Sequence, residues 1–172
     1  HILINTAIAG FTNMLLWFAI TFWSYLTTHS VFVTGVLGGV YLVLNLLSGL
    51  WFGSLVDHHR KKLVMLGSSA ASLLFYLIGF ALLTLLPSDT WGDTENVWLW
   101  VFILVSMLGI VSGNIRMIAL STVVTMLIPE EGRAKANGQI GVVNGLTFSV
   151  VSVFSGLVVG RLGMDWAVGI SI

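Results

Sequence analysis

The chain has 172 residues, of which 57% are hydrophobic and 8% are charged, and its seven Lys and Arg balance its seven Asp and Glu. Soluble domains carry about 25% charged residues, and so few charges cannot cover this much apolar surface, so a soluble globule is excluded. The neutral net charge gives no indication of a nucleic-acid partner. The absence of cysteine excludes disulfides, thiolate metal sites and cysteine nucleophiles.

Uncharged segments of the chain are long enough to cross a bilayer. Residues 1–56 contain no Asp, Glu, Lys or Arg, and uncharged runs follow at 63–88, 96–115, 117–129 and 136–160. A hydrocarbon core about 30 Å thick needs roughly 20 apolar residues per helix. The sequence therefore predicts an all-α polytopic membrane protein whose helices form a transmembrane bundle.

Polar breaks divide the sequence into five complete spans and the start of a sixth. The first 56 residues are too long for one helix, and Thr27-Thr28-His29-Ser30 is the most polar point at which they can reverse. Pro87 and Pro129 end two later spans, and Glu130 to Asn137 is predicted to be a charged loop. The predicted spans are about 6–27, 32–56, 63–86, 97–127 and 138–160, with a sixth that begins at about 166.

The charges in the connections predict the orientation. The connections 57–62 and 128–137 hold Lys and Arg, whereas 27–31 and 87–96 hold none. By the positive-inside rule, the basic connections and the N-terminus are cytoplasmic, with Arg161 as an exception. The protein is expected in the cell (inner) membrane, with an acidic external loop and an aromatic belt that contains Trp91, Trp98 and Trp100.

An internal echo indicates a repeat. Ser48-Gly49-Leu50 recurs as Ser155-Gly156-Leu157, an offset of 107 residues, and Gly53 recurs as Gly160 at the same offset. These stretches lie in spans two and five, which cross the membrane in opposite directions. An inverted three-plus-three repeat produces this pattern; chance matching in a Gly- and Leu-rich chain is the alternative.

The second span ends in the stretch Gly53-Ser54-Leu55-Val56-Asp57-His58-His59-Arg60-Lys61-Lys62. Basic side chains complement the negative end of a helix dipole, whereas Asp57 is unfavourable there without a cation. The stretch resembles the signature between helices 2 and 3 of the major facilitator superfamily. His58 and Arg60 depart from that signature and resemble the drug and macrolide efflux branch, which includes siderophore exporters. Ile128-Pro129-Glu130-Glu131 also resembles the helix 4–5 connection of that branch.

This resemblance implies the N-terminal half of a twelve-helix transporter that works by alternating access with a missing C-terminal six-helix half. It implies a conformational-switch role for five residues of the signature: Gly53, Asp57, Arg60, Lys61 and Lys62. A purely topogenic basic loop is the alternative. The helix 5 Gly-Pro pair of many antiporters is absent, and Arg116 is not followed by the usual Gln-Gly pair. Proton coupling is therefore a hypothesis.

Polar side chains of the first span share one helical face, because their spacing alternates between three and four residues. These residues are Thr6, Gly10, Asn13, Trp17, Thr21, Ser24 and Thr28. A polar stripe in a bilayer must face protein or a wet cavity. Helix 1 lines the central cavity in the family, so Asn13, Trp17 and Thr21 are substrate-cavity candidates. Contacts with neighbouring helices are the alternative.

Arg116 is the only formally charged residue inside a predicted span. A mid-membrane Arg costs about 2.5–3.5 kcal/mol on the insertion scale, so it needs a partner. That partner is a substrate anion, a residue of the missing half, a lipid phosphate or a loop carboxylate. Arg116 and Asn114 are predicted to contact substrate or to gate the cavity; a side chain that snorkels to the cytoplasmic interface is the alternative.

The other polar and small residues in the spans are predicted to be structural. Asn45 and Asn144 should form interhelical hydrogen bonds. Five glycine pairs should permit close helix approach, namely Gly35/Gly39, Gly49/Gly53, Gly109/Gly113, Gly141/Gly145 and Gly156/Gly160. We see no pattern typical of an enzyme, a metal site or a cofactor.

The predicted function is a secondary active transporter in the lipid bilayer. The favoured substrate class is a drug-like or amphipathic small molecule that the protein exports. An uptake permease of the same fold and a non-transporting assembly or sensory module are the alternatives.

Overall fold

The computed structural model describes the backbone of residues 2–172 and the side chains of residues 4–49, 51–120, 122–123, 126 and 128–172. The helices are α1 (Ile2–Thr28), α2 (Val31–His58), α3 (Lys61–Leu85), α4 (Val97–Leu127), α5 (Glu130–Leu162) and α6 (Met164–Ser171). A short 3₁₀ helix, Ser88–Trp91, follows α3. Five of the helices are long and apolar enough to cross a membrane. The predicted all-α bundle of five spans and part of a sixth is confirmed.

The first reversal lies where the polar tetrapeptide predicts it. His29 adopts a left-handed backbone with φ 50°, and Ser30 is the N-cap of α2. The Ser30 hydroxyl accepts a hydrogen bond from the Val33 N–H at 3.3 Å, which satisfies one of the free N–H groups of the first turn. Both residues therefore end one helix and begin the next.

The prediction of a charged loop from Glu130 to Asn137 is wrong, because α5 begins at Glu130. Pro129 precedes this helix with φ −53°, and its carbonyl accepts a hydrogen bond from the Gly132 N–H at 2.9 Å. Two carboxylates lie in the first turn, where the positive end of the helix dipole stabilises them. The charges here mark the part of the helix that leaves the apolar layer, and they do not mark its end.

The helices pair as an inverted repeat predicts. α1 packs along α5 and α6, and α4 packs correspondingly along α2 and α3. The other contacts follow the same rule when α1, α2 and α3 are matched with α4, α5 and α6. The α1–α2 contact corresponds to α4–α5, and α2–α3 corresponds to α5–α6, while α1–α4 and α3–α6 each correspond to themselves. The pairing has the pseudo-twofold relation of two three-helix repeats with opposite topology.

The connections divide the bundle into two ends. The acidic end holds the α1–α2 connection and residues 86–96, and the basic end holds the α2–α3 and α4–α5 connections. At the acidic end, the ring of Trp91 contacts those of Trp23 and Phe102 edge-on, with centroid distances of 5.8 and 5.5 Å. Trp91 was expected in an aromatic belt, but only 6% of it is exposed. The 3₁₀ turn instead inserts its ring between the helices.

The tightest helix contact is between α3 and α4, and small residues form it. The Ser68 hydroxyl donates to the Ser112 carbonyl at 2.6 Å, and the Ser72 hydroxyl donates to the Gly109 carbonyl at 2.8 Å. A methyl group at Gly109 would lie 2.5 Å from Tyr76 Cε1. Small side chains and hydroxyls of this kind let membrane helices approach closely.

The other predicted glycine pairs do not bring helices together within the part of the chain that the structure describes. Nothing lies within 4 Å of a methyl group built at Gly35, Gly39, Gly49, Gly53, Gly141, Gly145 or Gly160. At Gly156 the nearest atom belongs to Phe22, at an ordinary 3.8 Å. Of the five pairs, Gly109/Gly113 alone sets a close contact.

Candidate functional site

Four helices are joined near the centre of the bundle by side-chain hydrogen bonds, which we call the amide chain. Tyr76 Oη donates to Asn13 Oδ1 at 2.9 Å, and Asn13 Nδ2 donates to Asn114 Oδ1 at 3.0 Å. Asn114 Nδ2 then donates to Asn45 Oδ1 at 3.1 Å. The chain crosses from α3 through α1 and α4 to α2. Since polar groups in a bilayer core must be satisfied within the protein, it fixes how these helices face one another. The interhelical role predicted for Asn45 is confirmed.

Arg116 lies eleven residues before the end of α4, which is about 16 Å along the helix axis from the basic end. Its Nη1 donates to Ser69 Oγ at 2.8 Å, and its Nη2 donates to Asn5 Oδ1. Both partners are neutral. The guanidinium therefore links α1, α3 and α4 without neutralising its charge on a carboxylate.

A cavity of about 340 Å³, which we call the central cavity, lies between α1, α2, α4 and α5. Four predicted candidates line it, namely Asn13, Trp17, Asn114 and Arg116. Thr21 does not line the cavity, and its hydroxyl donates to the Trp17 carbonyl of its own helix at 2.8 Å. Spacing placed Thr21 on the correct face of α1, but one turn closer to the acidic end than the cavity reaches.

Aromatic rings form much of the central cavity wall. Trp17 and Tyr41 stack with ring centroids 4.1 Å apart and planes tilted by 35°. Phe18 and Phe148 meet edge-on at 5.1 Å. Sequence reasoning missed Tyr41, although it is the only tyrosine in α2 and an amphipathic ring inside an apolar helix is a usable signal. The cavity thus combines flat apolar surfaces with amide groups.

A second cavity of about 320 Å³, the lateral cavity, lies between α1, α3, α4 and α6. Hydroxyls of Thr12, Ser68, Ser69 and Ser72 line it. Ala9, Asn13, Gly113 and Arg116 line both cavities, so they form the wall between them. Ser68, Ser72 and Tyr76 recur every four residues on α3, a periodicity that sequence reasoning did not use.

Part of the motif for which a conformational-switch role was predicted forms a cap on α2. Lys61 Nζ donates to the carbonyl oxygens of Val56 and Asp57, the latter at 3.3 Å. His58 Nδ1 donates to the Ser54 carbonyl at 2.8 Å, and His59 Nδ1 donates to the Leu55 carbonyl at 3.1 Å. The Leu55, Val56 and Asp57 carbonyls belong to the last four of α2, which lack an N–H partner within the helix, so Lys61 and His59 supply the missing donors.

The side chains of the remaining motif residues form no hydrogen bond in this cap among the described residues. Asp57, Arg60 and Lys62 are exposed, and no ion pair joins Asp57 to a described residue. Open space lies beside Gly53. The cation that Asp57 was predicted to need is thus not supplied by the described part of this bundle.

Asn144 is a half-buried polar residue that does not behave as predicted. Its Oδ1 is inaccessible to solvent and has no hydrogen-bond partner among the described residues. A methyl group at Gly10 on α1 would lie 3.9 Å from that oxygen, at ordinary contact distance. At the α1–α5 contact, the Asn144 oxygen thus accepts no hydrogen bond from a described residue, and there is room for a small side chain at Gly10 beside it.

Gly10→Ser should stabilise the protein by about 1–2 kcal/mol, because it removes a mid-helix glycine and supplies a donor to Asn144 Oδ1. Gly10→Ala is the matched variant without the hydroxyl, and we expect it to gain about 0.5–1 kcal/mol. Thermal unfolding in detergent measures both. A serine variant no more stable than the alanine variant would contradict a hydrogen bond to Asn144.

The two cavities offer hydrogen-bond donors, aromatic surface and one cation. The described residues contain no cluster of His, Asp and Glu able to hold a metal. The arrangement of donors, rings and cation in the two cavities suits recognition of a small molecule that combines polar and flat apolar parts.

Comparison with known proteins identifies the family. No curated protein and no solved structure gives a significant match to the chain. A family model described as Major Facilitator Superfamily matches residues 2–172. This match spans all five long helices and α6. The members of this family are membrane transporters. The chain belongs to the Major Facilitator Superfamily.

Proposed function

We propose that the protein is a secondary active transporter that exports drug-like or amphipathic small molecules. The family supports membrane transport in general. The observation that carries the finer proposal is the central cavity, whose wall joins the Trp17–Tyr41 ring stack to the amides of Asn13 and Asn114. Rings bind the apolar part of an amphipathic molecule, and amides bind its polar part.

Transport by alternating access needs a second six-helix half that covers the central cavity. In an apolar 18-residue stretch of each helix, only 11% is buried in α2 and 22% in α5, against 50% in α4. Their exposed surfaces support docking of that half along these two helices. The exposed Asp57, with Arg60 and Lys62, is then the group that contacts the second half in one conformation and releases it in the other.

The proposed location is the cell (inner) membrane, with the basic end and the N-terminus in the cytoplasm. Four of the seven Lys and Arg, namely Arg60, Lys61, Lys62 and Arg133, lie at or next to the connections of the basic end. The positive-inside rule orients such connections toward the cytoplasm. If protons drive export, the proton-binding carboxylate belongs to the second half, since residues 63–88 and 96–129 contain no Asp or Glu.

The test uses the full-length protein in inside-out membrane vesicles with an amphipathic fluorescent dye. Export predicts that the dye accumulates inside the vesicles and that Asn114→Ala slows accumulation several-fold. Thr21→Val is the matched control, because the Thr21 hydroxyl bonds to its own helix outside the cavity. Collapse of accumulation with the proton gradient supports antiport. Dye movement only in the opposite direction identifies an uptake permease, and no movement with folded protein favours a non-transporting module.

A further inference from the structure

The guanidinium of Arg116 has hydrogen-bond donors to spare. Of the five N–H groups of an arginine side chain, one bonds to Ser69 and one to Asn5. The other three have no partner among the side chains that the structure describes. Both existing partners are neutral oxygens, so the positive charge also has no anionic partner among the described residues.

The membrane-spanning parts of α1 to α4 cannot supply that anion. Residues 1–56, 63–88 and 96–129 contain no Asp or Glu. An arginine without a counter-charge is unfavourable inside a bilayer. An oxyanion held in either adjoining cavity lowers this cost, because guanidinium binds carboxylate and phosphate through paired N–H groups.

The surroundings of Arg116 define what else the anion carries. Arg116 lines the central cavity together with the stacked rings of Trp17 and Tyr41, and none of the described residues that line it is Asp or Glu. A volume of about 340 Å³ is near the lower end of ligand pockets, which run from about 300 to 1,000 Å³. The space suits one or two aromatic rings with a charged substituent. An organic cation would be repelled by Arg116.

We propose that Arg116 anchors an oxyanion and that the substrates are small aromatic anions, with a carboxylate or phosphate at Arg116 and rings against Trp17 and Tyr41. This inference rests on the proposed transport function and deepens it. The shared chemistry is an oxyanion, which a substrate or a lipid headgroup can provide.

The test compares 2-naphthoate with 2-naphthamide, which have the same ring system and differ in charge. Binding is measured calorimetrically on the full-length protein in vesicles of zwitterionic lipid. We expect naphthoate to bind about tenfold more tightly or better, because a hydrogen bond to a charged group contributes about 1.5–3 kcal/mol. Arg116→Gln should remove this preference, and Arg116→Lys should retain part of it.

Thr21→Val is the matched control, because the Thr21 hydroxyl bonds to its own helix outside both cavities and the change leaves the guanidinium untouched. It should keep the preference for naphthoate. If Arg116→Gln does not fold, competition for wild-type naphthoate binding by benzoate against benzamide still tests the preference for an oxyanion, and Arg116→Lys then tests the residue. Equal binding of naphthoate and naphthamide to the wild type, with benzamide competing as well as benzoate, overturns the proposal.

Two further measurements separate the sources of the anion and the two proposals. Loss of naphthoate binding in phosphatidylglycerol vesicles, with recovery in zwitterionic ones, overturns the substrate assignment and gives the site to a lipid phosphate. Dye export without any preference for anions overturns this inference alone. Tight naphthoate binding without any transport supports the anion site and contradicts the proposed function.

Discussion

Gly109→Ala should destabilise the protein by about 2–3 kcal/mol, as expected for overpacking of a tight interface. The new methyl group would lie 2.5 Å from Tyr76 Cε1, 2.7 Å from Tyr76 Cδ1 and 3.2 Å from Phe75 Cβ. The tyrosine ring cannot swing away cheaply, because it is buried and its hydroxyl donates to Asn13 Oδ1 at 2.9 Å. Either α3 and α4 separate or the amide chain breaks. Thermal unfolding in detergent measures the loss.

Gly141→Ala is the control, since nothing lies within 4 Å of a methyl group at this position in α5. Without a clash, replacing a mid-helix glycine should stabilise by about 0.5–1 kcal/mol. In a Tyr76→Ala background the effect of Gly109→Ala should shrink, leaving mainly the contact with Phe75. A loss at Gly109 that is the same with and without the Tyr76 ring would show that this contact is not its cause.

The helices could be predicted from the sequence because membrane length and charge placement constrain them strongly. The α1–α2 reversal lies at Thr27–Ser30, and α4 begins and ends at the predicted residues. The start of α5 differed by eight residues, since it was predicted at 138 and lies at Glu130. Charges report where a helix leaves the apolar layer, whereas Pro129 and the acidic first turn decide where it begins.

The site was predicted only in part, because spacing along one helix does not reveal which other helix it meets. Asn13 and Asn114 were both predicted to line a cavity, but their mutual hydrogen bond spans 101 positions. Arg116 was expected to need an anion, and its partners within the bundle are instead Ser69 and Asn5, 47 and 111 positions away. Such pairs depend on how close the helices approach. At the α3–α4 contact, the absence of a side chain at Gly109 determines how close the two helices approach.

Asp57→Asn and Lys61→Met should separate the two roles combined in the motif after α2. Lys61 holds the last carbonyls of α2, so its loss should destabilise the helix end by about 1 kcal/mol. Asp57 is exposed and has no ion-pair partner among the described residues, so Asp57→Asn should change stability by no more than about 0.5 kcal/mol. Thermal unfolding of both variants checks these values.

In transport, we expect Asp57→Asn to have the larger effect of the two variants, which is the opposite of their order in stability. If Asp57 contacts a cation of the second half in one conformation, removing its charge loses about 2 kcal/mol or more of a buried pair and slows transport about tenfold or more. Lys135→Gln, the loss of an exposed charge at the same end of the bundle but outside the motif, is the control for a change in local charge. Wild-type transport by Asp57→Asn would contradict a role for this carboxylate in the conformational change. A stable, correctly inserted and inactive Asp57→Asn variant would instead assign this carboxylate to the conformational change, because folding and topology would then be excluded as causes.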